Sequence, residues 1–235
     1  MDGNLYLGTS GFAYDEWKHG VFYPEGLKNR EMLSYYASRF PSVEINYTFR
    51  RFPSEKSMRT WRAETPETFR FTLKANQRIT HWKRLADADQ DVRDFLDLGR
   101  LLGERFGTVL YQCPPTLKYD RGLIEAFVGY LPPAPRAAME FRHPSWFDEE
   151  VFGLLRTHRA ALCIADADDE LDVPFVATAD WGYLRLRRDD YSNRALKSWA
   201  KRIAGEGWRD VFVFFRHEDE GNGPRLAKRL EKLAG

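Results

Sequence analysis

The chain alternates between short apolar runs and longer segments with helical periodicity. Eight runs are rich in β-branched and aromatic residues, which is typical of buried strands; they are residues 5–9, 43–46, 69–74, 108–112, 136–141, 160–165, 182–186 and 211–215. Between them, apolar residues recur every three or four positions, as on one face of a helix. The stripes are Met32, Tyr35 and Tyr36; Val92, Phe95, Leu96 and Leu102; Leu196, Trp199, Ala200 and Ile203; and Leu226, Leu230 and Leu233.

Short polar residues mark where several of these helices begin. Ser54, Asp120, Asp148 and Ser192 each stand where a side-chain oxygen accepts a hydrogen bond from a free backbone N–H of the first turn. Pro224 is expected at the first position of the last helix. Residues 168–180 lack helical periodicity, so we expect the sixth helix to be short or absent.

Eight strand–helix units indicate the α/β class and a single (β/α)₈ TIM-type barrel, a fold that typically takes about 250 residues. We expect one domain over residues 1–235. An open, doubly wound sheet is the structural alternative. A nucleotide-binding sheet of that kind needs a glycine-rich first turn, and Gly8-Thr-Ser-Gly11 does not match the G-x-G-x-x-G pattern.

Composition narrows the functional classes. The 235 residues are 43% hydrophobic and 30% charged, which argues against disorder. The formal charge is +1, so any nucleic-acid binding has to come from a local patch. Cys113 and Cys163 lack zinc-type or CxxC spacing and are expected as reduced thiols of a cytoplasmic protein. No signal peptide and no membrane span is expected.

Polar side chains gather at the carboxyl ends of the predicted strands, where TIM barrels carry their active sites. Because side chains alternate along a strand, the inward positions can be assigned from the apolar ones that face the helices. The residues expected to converge on the barrel mouth are Glu44, Asn46, Lys74, Gln112, Glu140, Arg142, Asp166 and Arg185.

Three interpretations of this group stay open. The structural one is a set of ion pairs, Glu44 with Lys74 and Glu140 with Arg142. The functional one is an enzyme or degenerate enzyme for a small anionic or phosphate-containing ligand, bound by Lys74, Arg142 and Arg185. Glu44 or Glu140 is then the candidate catalytic acid or base, with His81 and His143 as second candidates. A third possibility is carbohydrate chemistry by the two glutamates, which requires carboxylates about 5–9.5 Å apart.

A basic loop suggests a different class of function. Residues 74–84 contain four Lys or Arg residues and no acid, together with His81 and Trp82, a composition that suits phosphates and stacked bases. Nucleic-acid binding without catalysis is therefore the alternative. Further candidate ligand contacts are the aromatic residues Tyr14, Trp17 and Trp146. His81, His143 and His217 follow strands but lack metal-ligand spacing, so no metal and no cofactor is expected.

The sequence resembles the YecE-like family, domain of unknown function 72, from its start to about Asp166. The motifs that carry the resemblance are Gly8-Thr-Ser-Gly-Phe-Ala-Tyr-Asp-Glu-Trp17, Phe22-Tyr-Pro24, Val43-Glu-Ile-Asn46, Phe71-Thr-Leu-Lys74, Gln112-Cys-Pro-Pro115 and Glu140-Phe-Arg-His143 with Ser145-Trp146. The resemblance implies a TIM-type barrel. That barrel has been likened to metal-dependent apurinic endonucleases, which implies DNA or another phosphate ester as ligand.

The sequence departs from the family pattern near its end. The family often has His-Gly after the seventh strand, where this chain has Arg187-Arg188, and an Asn pair after the eighth, where it has Phe215-Arg-His-Glu-Asp219. Both loops are expected at the mouth, so the departure bears on which ligand is bound.

Overall fold

Eight parallel strands form the centre of the molecule in a computed structural model that describes residues 3–168, 171–216 and 221–234. The strands are β1 (Asn4–Thr9), β2 (Ser42–Ile45), β3 (Arg70–Lys74), β4 (Phe106–Gln112), β5 (Arg136–Glu140), β6 (Ala161–Asp166), β7 (Trp181–Leu186) and β8 (Asp210–Phe215). All eight predicted strands are therefore confirmed, each with boundaries within two residues of the prediction.

Helices follow the strands on the outside of the sheet. They are α1 (Met32–Ala37), α2 (Tyr47–Arg50), α3 (Glu55–Ala63), α4 (Asp89–Arg100), α5 (Arg121–Gly129), α6 (Glu149–Thr157), α7 (Asn193–Gly205) and α8 (Asn222–Ala234). The four predicted N-caps are confirmed by hydrogen bonds from first-turn N–H groups to their side chains, in Ser54, Asp120, Asp148 and Ser192. Pro224 is the third residue of α8 and not the first, because the helix begins at Asn222.

The sixth strand–helix unit has no helix within its described residues. Residues 171–180 run from β6 to β7 as an irregular segment. Thr178 fixes this segment to the barrel, since its Oγ1 donates to the Ala160 carbonyl at 2.8 Å and accepts from the Leu162 N–H at 2.7 Å. The expectation of a short or absent sixth helix is therefore confirmed for the described part of this segment.

The sheet curls until its two edges meet, which makes it a (β/α)₈ barrel. The strand order is β1-β8-β7-β6-β5-β4-β3-β2, and the seam between β1 and β2 is closed by a parallel bridge between Ser10 and Glu44. Gly11 N–H donates to the Glu44 carbonyl there at 2.7 Å. Gly8 lies at the same seam, and a Cβ at this position would lie 2.0 Å from the Ser42 carbonyl oxygen. Only glycine lets the two strands approach this closely.

The barrel interior is apolar at its centre and charged at the carboxyl ends of the strands. A cluster inside the barrel is formed by Leu110, Ala138, Ala161, Cys163, Trp181, Tyr183, Phe212 and Phe214, and a larger cluster lies between strands and helices. Cys113 and Cys163 are both buried and form no disulfide. Among the described helices, none is long and apolar enough to cross a membrane. The polar residues at the carboxyl ends of the strands form the candidate site.

Candidate active site

Arg185, near the end of β7, connects two carboxylates from other strands. Its Nη2 lies 2.8 Å from Oε1 of Glu44, and its Nη1 lies 2.7 Å from Oε2 of Glu140. Nη1 also donates to Oε1 of Gln112 at 3.2 Å. These four residues were expected to converge on the barrel mouth, and the structure brings them together. All four side chains are buried.

Glu44 is a buried carboxylate that accepts three hydrogen bonds. Ser10 Oγ donates to Oε1 at 2.6 Å and Tyr183 Oη donates to Oε2 at 2.5 Å, in addition to the bond from Arg185. The carboxylate is fully buried. A catalytic role for Glu44 in direct contact with substrate therefore has no support in this geometry.

Glu140 is held in its ionised form by cations. Arg142 Nε lies 2.9 Å from Oε1, and Arg187 Nη2 lies 3.9 Å from the same oxygen. Burial alone would raise the pKa of Glu140, but Arg185, Arg142, Arg187 and Lys74 outweigh it and hold that pKa well below its usual range. A carboxylate that keeps its charge this strongly is a poor proton donor or acceptor, so Glu140 is better suited to orienting arginines.

Lys74, the last residue of β3, lies differently from the expected pair with Glu44. Its Nζ is 4.1 Å from the centre of the Phe49 ring, and within the described residues no hydrogen bond or ion pair reaches it. Arg185 occupies the position beside Glu44 instead. Burial, together with the charge of Arg185, lowers the pKa of Lys74 to about 8, although Glu140 and Glu44 oppose this effect. Lys74 is thus a cation that loses its proton more easily than an ordinary lysine.

A cavity of about 350 Å³ opens beside Glu140. Arg142 and Arg187 contribute its charged wall, and Leu171 and Val173 of the β6–β7 segment lie against it. Arg142 is 28% exposed, and its Nε is the atom bound to Glu140. Nη1 and Nη2 contact no acceptor among the described residues. This places a fixed, partly exposed guanidinium in a cavity of the size that small ligands occupy.

His81 and Asn46 lie at the same end of the barrel as Lys74. The His81 ring is 4.8 Å from that of Phe49, and its Nδ1 is 2.8 Å from Oγ1 of Thr80. Burial and the neighbouring cations Lys74, Arg142 and Arg84 lower the pKa of His81, so its neutral form is favoured. Asn46 follows β2, and its buried Oδ1 accepts no hydrogen bond from the described residues. Both remain candidates for contact with a ligand.

Three predicted ligand contacts have structural roles instead. Trp17 is fully buried and packs on Tyr14 with ring centres 4.8 Å apart. Trp146 is also fully buried, lies parallel to Phe141 at 4.4 Å, and donates its Nε1–H to the Leu117 carbonyl at 2.7 Å. Neither indole has a face open to a ligand. Arg185 is likewise inaccessible, since it is buried between the two glutamates.

His143 and Tyr14 also make local contacts. His143 Nδ1 accepts a hydrogen bond from the Ser145 N–H at 3.1 Å and caps the turn that carries Trp146. This bond occupies one ring nitrogen in a structural contact. Tyr14 Oη donates to the Ser10 carbonyl at 2.5 Å and stays partly exposed.

The inclusion of Asp166 in the converging group was wrong. Cys163 of the same strand faces the barrel interior, so Asp166 faces outward towards α7. Its Oδ1 lies 2.6 Å from Nε of Arg188, and its Oδ2 accepts from Nε1 of Trp199 on α7 at 3.2 Å. His217 and the segment 217–219 lie outside the described residues.

One carboxylate offsets part of the charge of the basic loop. Asp91 of α4, only 8% exposed, lies 2.9 Å from Nε of Arg78 and 2.8 Å from Nζ of Lys83. Arg84 directs both Nη atoms to Thr116. Trp82 projects from this loop with 69% of its surface exposed. The loop therefore offers a phosphate backbone less free charge than its sequence indicates.

Within residues 3–168, 171–216 and 221–234, no three His, Cys, Asp or Glu side chains are grouped so as to hold a metal ion. Burial raises the pKa of Cys113 well above its usual range, so this thiol is not an activated nucleophile. Among the described residues, Lys74, His81 and Arg142 are the titratable or cationic groups that remain candidates for contact with a ligand.

The fold and this site define the chain as a TIM-barrel protein with a charged network at the carboxyl ends of its strands. Residues 6–235 match the family described as "Protein of unknown function DUF72", and the chain belongs to that family. The resemblance seen in the sequence motifs is thereby confirmed.

Relatives and solved structures agree with this assignment. UPF0759 protein YunF of Bacillus subtilis is 26% identical over 92% of this chain and 79% of its own length. UPF0759 protein YecE of Escherichia coli is 30% identical over 61% of this chain, which spans half of YecE. The crystal structure of a DUF72 family protein from Thermotoga maritima is similar with a TM-score of 0.84 and 30% identity, covering 98% of each chain. A DUF72 family protein from Enterococcus faecalis shares the fold, with a TM-score of 0.80 and 19% identity.

Proposed function

We propose that the barrel mouth binds a small anion, a carboxylate or a phosphate ester, as the substrate site of an enzyme. The observation that carries this proposal is the position of Arg142, whose Nε is bound to Glu140 at 2.9 Å beside a cavity of about 350 Å³. Lys74, Arg142, Arg185 and Arg187 all act electrostatically on Glu140. These cations favour an anionic ligand over a cationic one.

Arg142 is the group best placed to bind that ligand. Its Nε is fixed by Glu140, which leaves the two Nη atoms directed elsewhere and lowers the entropy lost on binding. The planar guanidinium matches a carboxylate or phosphate with two parallel hydrogen bonds. Arg187 lines the same cavity and adds a second positive charge.

An enzyme is favoured over a passive binding protein because the charged network lies at the catalytic end of the fold. The pKa values of Lys74, His81 and Glu140 are all shifted there, and shifted pKa values concentrate at functional sites. Glycoside hydrolysis by Glu44 and Glu140 has no support, because Arg185 is bound to both carboxylates and occupies the place that a sugar would need.

Calorimetric titration with inorganic phosphate and with glyoxylate tests the proposal. Arg142→Gln should weaken both affinities by about tenfold or more, equivalent to about 1.4 kcal/mol. Arg156→Gln is the matched control, because Arg156 also forms one ion pair, with Glu149, but lies on the outer surface in α6. Equal affinities in the wild type and both variants would contradict an anion site at the mouth.

A further inference from the structure

The chemical environment of Lys74 differs from that of the other cations at the mouth. Arg142 and Arg185 are bound to carboxylates through fixed hydrogen bonds, whereas the Lys74 ammonium lies against the face of Phe49. Within the described residues it has no acceptor at hydrogen-bond distance. A lysine placed only to balance buried charge would be expected beside Glu44 or Glu140.

The charged groups around Lys74 come from several elements. Lys74 interacts electrostatically with Glu44 of β2, with Glu140 and Arg142 at the end of β5, and with Arg185 of β7. The charge of Lys74 also lowers the pKa of His81 in the adjoining turn. Desolvation and nearby cations are the two conditions that activate a lysine amine as a nucleophile. Arginine cannot serve in this way because it keeps its proton, so the choice of lysine at this position is meaningful.

We propose that Lys74 is a catalytic nucleophile that forms an imine with the carbonyl group of the anion bound at the mouth. The inference rests on the proposed anion site and names its substrate class, an oxo acid or a phosphorylated carbonyl compound. Arg142 and Arg187 bind the anionic end of such a molecule, and Lys74 reacts with its carbonyl carbon.

The reaction balances without any further reagent. The ammonium of Lys74 first gives a proton to water, and the neutral amine adds to the carbonyl carbon as the C=O π electrons move to oxygen. The nitrogen then loses one proton, and the oxygen gains two protons and leaves as water. The product is a C=N bond between Nζ and the former carbonyl carbon. No oxidation or reduction occurs.

Reductive trapping detects this imine in the intact protein. Glyoxylate, the smallest oxo acid, and acetaldehyde, a neutral aldehyde, are each incubated with the protein and cyanoborohydride at pH 7. Cyanoborohydride delivers hydride to the imine carbon, leaving a carboxymethyl or an ethyl group on Nζ, and peptide mapping by mass spectrometry locates it. Lys56 is the reference, because it is exposed on α3 and is more accessible than Lys74.

We expect glyoxylate to modify Lys74 about tenfold faster than Lys56, since more of its amine is unprotonated at pH 7. Lys74→Arg should lose the modification at this position. Modification of Lys74 no faster than of Lys56 by both aldehydes would overturn the imine, even where the phosphate titration upholds the anion site.

Arg142→Gln separates the failure of the two proposals. It should slow the reaction of Lys74 with glyoxylate more than the reaction with acetaldehyde, because only glyoxylate has a carboxylate to bind. Both reactions lose the effect of the Arg142 charge, which lowers the pKa of Lys74. If glyoxylate is slowed no more than acetaldehyde, the anionic substrate class is wrong. If Arg142→Gln also leaves the phosphate affinity unchanged, the failure lies in the anion site itself.

Discussion

Arg185 and Glu140 form an ion pair inside the barrel: Nη1 lies 2.7 Å from Oε2, and both side chains are excluded from solvent. A buried pair of this kind contributes little net stability compared with apolar residues, but breaking it leaves an uncompensated charge. Its effect here is to fix the position of Glu140, whose other oxygen binds Arg142. The pair therefore orients the guanidinium that we propose as the anion ligand.

Arg185→Met should be strongly destabilising. It removes the partner of two buried carboxylates, Glu44 and Glu140, and the expected loss is about 3–5 kcal/mol in the free energy of unfolding. Arg209→Met is the comparison, because Arg209 pairs with Asp180 on the exposed surface, where the loss of an ion pair has little effect on stability. Urea denaturation measures both. A loss no greater in Arg185→Met than in Arg209→Met would show that the network is not energetically coupled.

The charge of Glu140 predicts how the fold responds to acid. Burial alone would raise its pKa, but the surrounding arginines lower it below that of the unfolded chain. A group with a lowered pKa stabilises the folded state above its unfolded pKa of about 4.3, and this contribution is lost as the pH falls through the folded pKa. The stability difference between wild type and Glu140→Gln should therefore be largest near neutral pH and narrow below about pH 4. Urea unfolding at a series of pH values measures it, and a constant difference would contradict the lowered pKa.

Residue alternation predicts that Glu44 and Glu140 point inward, because the pleat of a strand fixes every second side chain to one face. Gln112 and Arg185 were expected at the mouth from their places in β4 and β7, and the structure brings them into the same network. Asp166 was assigned wrongly because β6 continues to that residue, one position out of phase with Cys163. Which side chains of a strand face inward therefore has to be determined from the apolar residues of that same strand.

Partners and depth of burial were not predictable in the same way. The structural interpretation paired Lys74 with Glu44, yet the long side chain of Arg185 reaches that carboxylate from β7. Whether Lys74 or Arg185 binds Glu44 depends on distances across the barrel. A local sequence pattern carries no information about those distances. The burial of Trp17 and Trp146 likewise depends on loops packed over them. The only sequence signal for the burial of these two tryptophans is the set of aromatic residues that pack around them.

Gly8→Ala should open the seam of the barrel. The added Cβ would lie 2.0 Å from the Ser42 carbonyl oxygen, and backbone atoms have little freedom to move away. We expect a loss of about 3 kcal/mol or more in the free energy of unfolding. Gly153→Ala in α6 is the matched substitution: no atom lies within 4 Å of its added Cβ. It should stabilise the helix by about 0.5–1 kcal/mol. Equal effects of the two substitutions would show that β1 and β2 tolerate a wider separation.

The basic loop supplies the prediction that separates a small anion from a nucleic acid. Asp91 contacts both Arg78 and Lys83, so the wild-type protein should bind a single-stranded oligonucleotide weakly and with a shallow salt dependence. Asp91→Asn should release both cations and steepen the slope of log affinity against log salt by up to about 1.4, at about 0.7 for each phosphate contact. Asp94→Asn, on the exposed part of the same helix, changes the net charge equally and should leave the slope unchanged. Fluorescence anisotropy at several salt concentrations measures all three proteins. A steep slope already present in the wild type would favour the nucleic-acid function over the small anion.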